Sequence, residues 1–322
     1  LVANEKVEGS TPFARSKIVI KSKFITNFFQ KYVENKDIRD FKKKITYYFI
    51  FRIFRNFLLN DIVLKIYNFK IFGSIEKNKT SYFLLKKCEF GDYHELDIIK
   101  KFSRKKKICF IDGGCNYGFY SFYCASLSDK NNIFAIEASK KTSQEFLKNF
   151  ELNKFSNIKF ENKAISNVDN EVISFNESEN DWESSESHKD FNLSSVSTVK
   201  TLKLDTLAKK INFVDYSTII KLDIEGGEIK ALEGAFNLIK KTSPVIIMEF
   251  SKYIFDYEYK VDFLRNFLNE FDYSIYDTNC NKKKIDDILI KLDKLTKRHK
   301  TIGNYYLIKN LSTNLGVFLN NE

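Results

Sequence analysis

A chain of 322 residues, 43% hydrophobic and 16% aromatic, can bury one full core with an accessory region, and its composition excludes global disorder. Its 53 basic and 42 acidic side chains leave a net charge of +11, but the basic residues are overwhelmingly lysine. Phosphate recognition favours the bidentate arginine fork, so a nucleic-acid substrate is not expected. The five cysteines are widely spaced and contain no C-x-x-C pair, which argues against a disulfide framework or structural zinc and for a reducing, cytoplasmic setting.

Residues 1–20 lack the apolar core of a signal peptide and differ in composition from the rest; they read as an atypical, disordered leader. Residues 21–100 read as a helical accessory region. Within it, 41–72 mixes aromatic and aliphatic side chains with Arg52, Arg55 and Lys65, which interrupt any run near 18 residues and exclude a spanning helix. The segment is expected to be a helix packed on the main domain. The alternative is a basic amphipathic helix giving peripheral association with the inner face of a membrane.

From 101 to 310 short apolar runs alternate with helical patterns, and 311–322 reads as a tail. The runs lie at 108–112, 133–137, 157–161, 218–222 and 244–249, separated by helical stretches near 118–128, 140–153, 227–240 and 260–270. Strands spaced by helices imply crossover units, hence an α/β fold with a doubly wound, mostly parallel sheet. Two late runs, 272–276 and 304–310, fit an antiparallel hairpin at one sheet edge. The Ser- and Glu-rich segment 176–197 reads as a long loop or lid carrying Trp182 and His188. After it "TVKTLKLDTLAKK" reads as a strand, with Asp205 capping the short helix that follows.

The first strand ends in "CFIDGGCNYGFYSFY". In a doubly wound sheet the ligand lies beyond the carboxyl ends of the strands, so this turn must approach it closely. Gly113 and Gly114 remove the Cβ atoms that would block the approach, and Gly118 lets the helix start against the strand. The spacing does not supply the G-x-G-x-x-G of a dinucleotide site. It is a variant of the D-x-G-x-G-x-G turn that binds S-adenosylmethionine, with Asn116 replacing the middle glycine. Asp112 would repel a pyrophosphate and suits a cationic ligand with an ammonium group. Glu137 ends the second strand, where a carboxylate can accept both ribose hydroxyls. Asn162 and Ala164, beyond the third, would flank the adenine.

The block "IIKLDIEGGEIKALEGA" starts as a buried strand and carries Asp223 and Glu225 at its carboxyl end. There a ligand, cofactor or substrate is expected. Lys230 and Glu233 read as the solvated face of the following helix, with Glu228 beside them. Glu249 closes the next strand, across from Asp223.

Taken together, "FIDGGCNYGFYS", "FAIEAS", "FENKAIS", "LKLDTLA", "IIKLDIEGGEIKALEGA" and "PVIIMEFS" resemble the FkbM-type methyltransferases over roughly 109–251. The resemblance implies the Rossmann-like class I methyltransferase fold, S-adenosyl-L-methionine as methyl donor, and O-methylation of a hydroxyl on a sugar, glycan, glycolipid or other small molecule. Asp112, Gly113, Gly114, Asn116, Gly118, Glu137, Asn162, Ala164 and Asp223 are the expected cofactor residues. Asp223 is the first candidate for base, with Glu249 and Glu225 behind it and His188 as a lid-borne outsider. Asp223, Glu225 and Glu249 could form an oxygen-rich magnesium site, but no metal is expected. The competing readings are a nicotinamide-dependent oxidoreductase on a similar fold, disfavoured by the glycine spacing, and a catalytically silent cofactor-binding scaffold.

Overall fold

The computed structural model describes residues 62–73, 93–178, 193–254, 258–295 and 301–319. The leader, the stretch 21–61, Trp182 and His188 lie outside them. The chain divides into two compact units, one formed by 1–66 and 70–91, the other by 67–69 and 92–322.

The end of the segment expected to be helical is a strand pair, β1 (Ile62–Ile66) and β2 (Phe69–Gly73). The sequence IVLKIYNFKIF alternates apolar and lysine positions around Tyr67-Asn68, with Tyr67 at φ 50°, and that period of two favours a hairpin over a helix. A continuous amphipathic helix to residue 72 is therefore excluded.

The second unit opens with α1 (Tyr93–Lys105), which runs across residue 100 and buries Leu96, Ile99 and Phe102. In order there follow β3 (Lys107–Gly113), α2 (Phe119–Leu127), β4 (Asn132–Ile136), α3 (Lys140–Asn153), β5 (Ile158–Glu161), β6 (Ala164–Ile165), β7 (Val172–Ser178), β8 (Leu193–Leu202), α4 (Leu204–Ala208) and β9 (Tyr216–Leu222). Then come α5 (Glu228–Glu233), α6 (Phe236–Thr242), β10 (Val245–Ser251), α7 (Glu258–Glu270), β11 (Tyr273–Tyr276), β12 (Lys282–Lys283), α8 (Ile285–Asp293), β13 (Thr301–Lys309) and α9 (Thr313–Leu319).

Eight strands form one sheet in the order β12-β11-β13-β10-β9-β3-β4-β5. The strands from β10 to β5 run parallel, and β13 inserts antiparallel between β10 and β11. This is a doubly wound, Rossmann-like sheet whose order reverses at β3, with β4 on one side and β9 on the other. β3 is buried from Ile108 to Gly113 and β9 from Thr218 to Leu222, on both sides of the pleat, as inner strands of a parallel sheet are. Ser139 caps α3 by accepting from the Thr142 N–H at 3.0 Å, and Lys154 ends it in the left-handed region.

Three local expectations change. The Ser/Glu-rich segment is strand at both described ends, since β7 and β8 pair antiparallel from Val172↔Lys200 to Ser178↔Leu193, with β6 beside β8. Asp205 does not cap its own helix. Its carboxylate accepts from the Asn237 and Leu238 N–H groups at 3.1 and 2.8 Å and from the Asn237 amide at 2.8 Å, capping α6 instead. The residues beyond 310 include α9, whose Phe318 is fully buried against Tyr276 and Tyr306. Among the described residues no helix is long and apolar enough to cross a membrane.

Candidate functional site

The carboxyl ends of β3, β4, β9 and β10 lie side by side, as expected for the ligand end of the sheet. The glycine turn sits at the switch point. The Gly114 and Cys115 N–H groups both donate to the Ile136 carbonyl at 3.0 Å, tying the turn to the end of β4. Asn116, at the place of the middle glycine, has φ 50°, a conformation asparagine tolerates better than most side chains, and its Oδ1 accepts from the Tyr117 N–H at 2.8 Å.

The glycines are needed first for chain-on-chain packing. A Cβ on Gly114, which has φ 75°, would stand 2.0 Å from the Asp223 carbonyl oxygen. On Gly113 it would stand 2.6 Å from Ile165 Cδ1 and 3.0 Å from the Lys221 carbonyl, and on Gly118, at φ 88°, 2.5 Å from the Phe122 ring. The space expected to admit a ligand is, at these Cβ positions, filled by the protein's own turn and rings.

Asp112 is 1% exposed. Its Oδ2 accepts from the Ser121 hydroxyl at 2.6 Å, while Oδ1 is buried with no hydrogen-bond partner among the described residues. Burial pushes its carboxyl up, against the opposing charge of Lys221 and the Ser121 bond. Glu137 accepts from the Asn116 N–H through Oε2 and from the Ser139 N–H through Oε1, both at 2.9 Å. It joins the glycine turn to the start of α3. A carboxylate offers about four acceptor sites, so one group can bind several N–H or O–H donors at once.

The Asn162 amide donates to the Glu137 and Ala138 carbonyls at 2.8 and 3.1 Å and to the Ser143 hydroxyl at 2.9 Å. It fastens the end of β5 to the β4–α3 loop. Ala164 starts β6 and packs with Phe175 and Val199.

The end of β9 gathers the acids. Lys221, 2% exposed, donates to Asp223 Oδ2 at 2.7 Å and lies 4.7 Å from the centre of the Tyr120 ring. Asp223 itself is partly exposed, and its N–H donates to the Gly113 carbonyl at 3.1 Å. Glu225 adopts φ 52°, and one carboxylate oxygen each of Asp223, Glu225 and Glu249 lie within 4.8 Å of one another. The three expected catalytic acids thus converge. Burial, with the charges of Asp223 and Glu228 alongside, pushes the Glu249 carboxyl up to about 8.

Glu228 is not on a solvated face. It is 1% exposed, accepts from the Ile224 and Gly226 N–H groups at 3.0 Å each, and burial pushes it up to about 7. Lys230 is exposed as expected, while Glu233 is partly buried and accepts from the Asn167 amide at 2.7 Å. The glutamate-two-after-glycine spacing was the one signal that could have singled out Glu228, because a carboxylate there reaches back to the turn's own N–H groups, as in a capping box. Lys221 stands in the same charged cluster at the end of a buried strand in the sequence, but only the fold shows its ammonium enclosed beside Asp223 and the Tyr120 ring.

No curated protein matches the chain significantly. Among solved structures, methyltransferase FkbM from Methylobacillus flagellatus KT is 19% identical, with 71% of this chain and 52% of that chain covered and a TM-score of 0.39. The chain therefore spans about half the length of that relative. M. jannaschii TYW2 in complex with AdoMet is 13% identical, covering 77% of this chain and 84% of that chain at a TM-score of 0.39. Precorrin-6y C5,15-methyltransferase from Geobacter metallireducens GS-15 is 11% identical, covering 66% and 84% at 0.34. Residues 112–275 match the family described as the methyltransferase FkbM domain. That match takes in the glycine turn, Glu137, the β9 acids and Glu249 and spans about half of the 322 residues, and by it the chain belongs to the FkbM methyltransferase family.

Proposed function

We propose that this methyltransferase transfers the methyl group of S-adenosyl-L-methionine to a hydroxyl of a sugar, glycan or glycolipid, with Asp223 as the base. The observation that carries the reading is the abutment of the two loops: the partly exposed Asp223 carboxylate leaves the chain beside the glycine turn against which its own backbone is packed.

The residues present fit the cofactor. A buried Asp112 oxygen with no hydrogen-bond partner among the described residues is suited to an ammonium donor, and the Glu137 carboxylate at the end of β4 is of the chemistry that accepts from ribose hydroxyls. The N-terminus of α2 adds N–H groups at the same end of the sheet. When bound, the cofactor supplies an electrophilic methyl on a sulfonium, which keeps the bonding pair on departure.

The chain's own residues align and deprotonate. The acceptor hydroxyl must lie in line with the methyl–sulfur bond and lose its proton during or after attack, which needs a base in hydrogen-bond reach. Glu249, pushed up to about 8, holds its own proton at neutral pH and is suited to donate a hydrogen bond to the acceptor. Asp223 receives the proton, and the Lys221 ammonium stands ready beside it. We assign the residues ahead of α1 an accessory role and the unit from α1 to α9 the catalytic domain. The described cysteines are free, in keeping with a cytoplasmic setting.

The test is calorimetric titration with S-adenosylmethionine, S-adenosylhomocysteine and NADH, followed by mass spectrometry of sugar and glycolipid acceptors. Binding of the two sulfur ligands and not NADH, with methylation lost but binding kept in Asp223→Asn, supports the reading. Binding of NADH alone would overturn it. Methylation confined to non-hydroxyl acceptors would remove the hydroxyl assignment.

A further inference from the structure

The turn after β9 is held by an unusual device. Glu225 and Gly226 stand consecutively at φ 52° and 101°, so the chain reverses through two left-handed residues. The N–H groups on either side of Glu225, those of Ile224 and Gly226, are taken up by the two oxygens of one buried carboxylate, Glu228. The backbone's own contribution at this turn is the Gly227 N–H to the Ile224 carbonyl at 3.3 Å. A carboxyl that is 1% exposed, with the Asp223 charge and the Glu249 carboxyl near enough to act on it, is an expensive choice of clamp. Its geometry has consequences beyond the turn.

Ile224 follows Asp223, and both rest on the glycine turn. The Asp223 N–H donates to the Gly113 carbonyl; the Asp223 carbonyl and Ile224 Cγ2 stand 2.0 and 3.2 Å from where a Gly114 Cβ would be. Fixing Ile224 and Gly226 therefore fixes the surface on which Gly113 and Gly114 lie.

We infer that Glu228 is a positioning residue for cofactor capture: by gripping the Ile224 and Gly226 N–H groups it sets the β9 turn, and through Asp223 the glycine turn, in the form that receives S-adenosylmethionine. The inference rests on the cofactor reading above. It assigns Glu228 no contact with the cofactor or the acceptor. Because coupling is reciprocal, cofactor binding must in turn tighten the grip on those two amides.

The experiment compares the full-length wild type, Glu228→Gln and Asp205→Ala, by calorimetry with S-adenosylmethionine and by amide hydrogen exchange. A glutamine keeps one acceptor oxygen and aims a donor at the other N–H. Glu228→Gln should weaken binding about tenfold or more and speed exchange at Ile224 and Gly226. Asp205→Ala, which loosens α6 away from the site, should leave affinity within about twofold. Equal affinity of Glu228→Gln and the wild type, or an equal loss in Asp205→Ala, overturns the inference. Should Glu228→Gln fail to fold, the wild type decides: saturating cofactor must slow exchange at Ile224 and Gly226, and unchanged exchange overturns the inference. A wild type that binds no S-adenosylmethionine instead sinks the cofactor reading itself.

Discussion

Gly114 and Asp223, residues of two different loops, are packed so closely that a Cβ on the first would stand 2.0 Å from the carbonyl oxygen of the second. The register explains it: Asp112 pairs with Lys221 and Gly113 with Leu222, so both loops leave the sheet at the same level. Gly114→Ala must also place a methyl on a residue at φ 75°. The variant is expected to lose about 2–4 kcal/mol of stability and more than tenfold in S-adenosylmethionine affinity. Chemical denaturation and calorimetry check both; wild-type affinity would show that the two loops are not coupled.

Glu137 serves two N–H groups at once, Asn116 and Ser139. Glu137→Ala orphans both and removes the acceptor expected for the ribose, at a cost of roughly 2 kcal/mol in stability and at least tenfold in affinity. Glu137→Gln keeps one acceptor and should fall between. If Glu137→Ala binds cofactor normally, the ribose assignment is wrong whatever its stability.

Lys221 is a buried cation between Asp223 and the Tyr120 ring, and its charge also bears on Asp112. Lys221→Met keeps the volume and removes the charge. Breaking a buried pair leaves an uncompensated acid, but Asp223 has access to water, so the expected loss is nearer 2 than 5 kcal/mol. A denaturation midpoint at or above the wild type's would show the pair to be energetically neutral.

Two glutamates are pushed above the ordinary 4.5, Glu228 to about 7 and Glu249 to about 8, and burial raises Asp112 as well. A raised acid favours the folded state while the unfolded chain also keeps its proton. That contribution is complete below pH 4.5 and is lost as pH rises through 7 and 8. Unliganded protein should therefore lose stability from these groups between pH 5 and 8. Glu249→Gln, which mimics the protonated acid, should flatten that decline by an amount on the order of 2 kcal/mol. Urea midpoints at the two ends of the range test this, and parallel declines in both proteins would refute it.

Asp205→Ala removes three hydrogen bonds at the start of α6, and loss of a cap costs about 1–2 kcal/mol. Cofactor affinity should hold. A large affinity loss would mean that α6 takes part in shaping the site.

The sequence made the centre of the sheet legible because β3, β4, β9 and β10 are apolar runs bounded by turns, and the glycine turn legible because its spacing is tied to a strand end. It concealed what depends on contacts distant in the chain. Asp205 reads as a local cap, yet its partners lie 32 and 33 residues away. The end of β8 reads as a strand, but β7 and its pairing escaped notice because the alternation is weak: Phe175 and Val199 are buried, while Val172 and Val196 are 61% and 62% exposed, so apolar side chains fall on both faces. Of the site, the three acids at β9 and β10 could be named from their positions. The burial of Lys221 and Glu228 could not, because each depends on which neighbour the fold supplies.

Because β13 runs against its neighbours, it begins where β10 ends: Glu249 pairs with Asn304 and Ser251 with Thr301. Whatever chain leads into β13 is thus delivered to the acid-bearing end of the sheet, on the far side of β9 from β4 and β5. The register thus sets the antiparallel strand's start level with Glu249, one strand beyond the Asp223-bearing β9 and apart from the β3–β4 side that carries the glycine turn and Glu137.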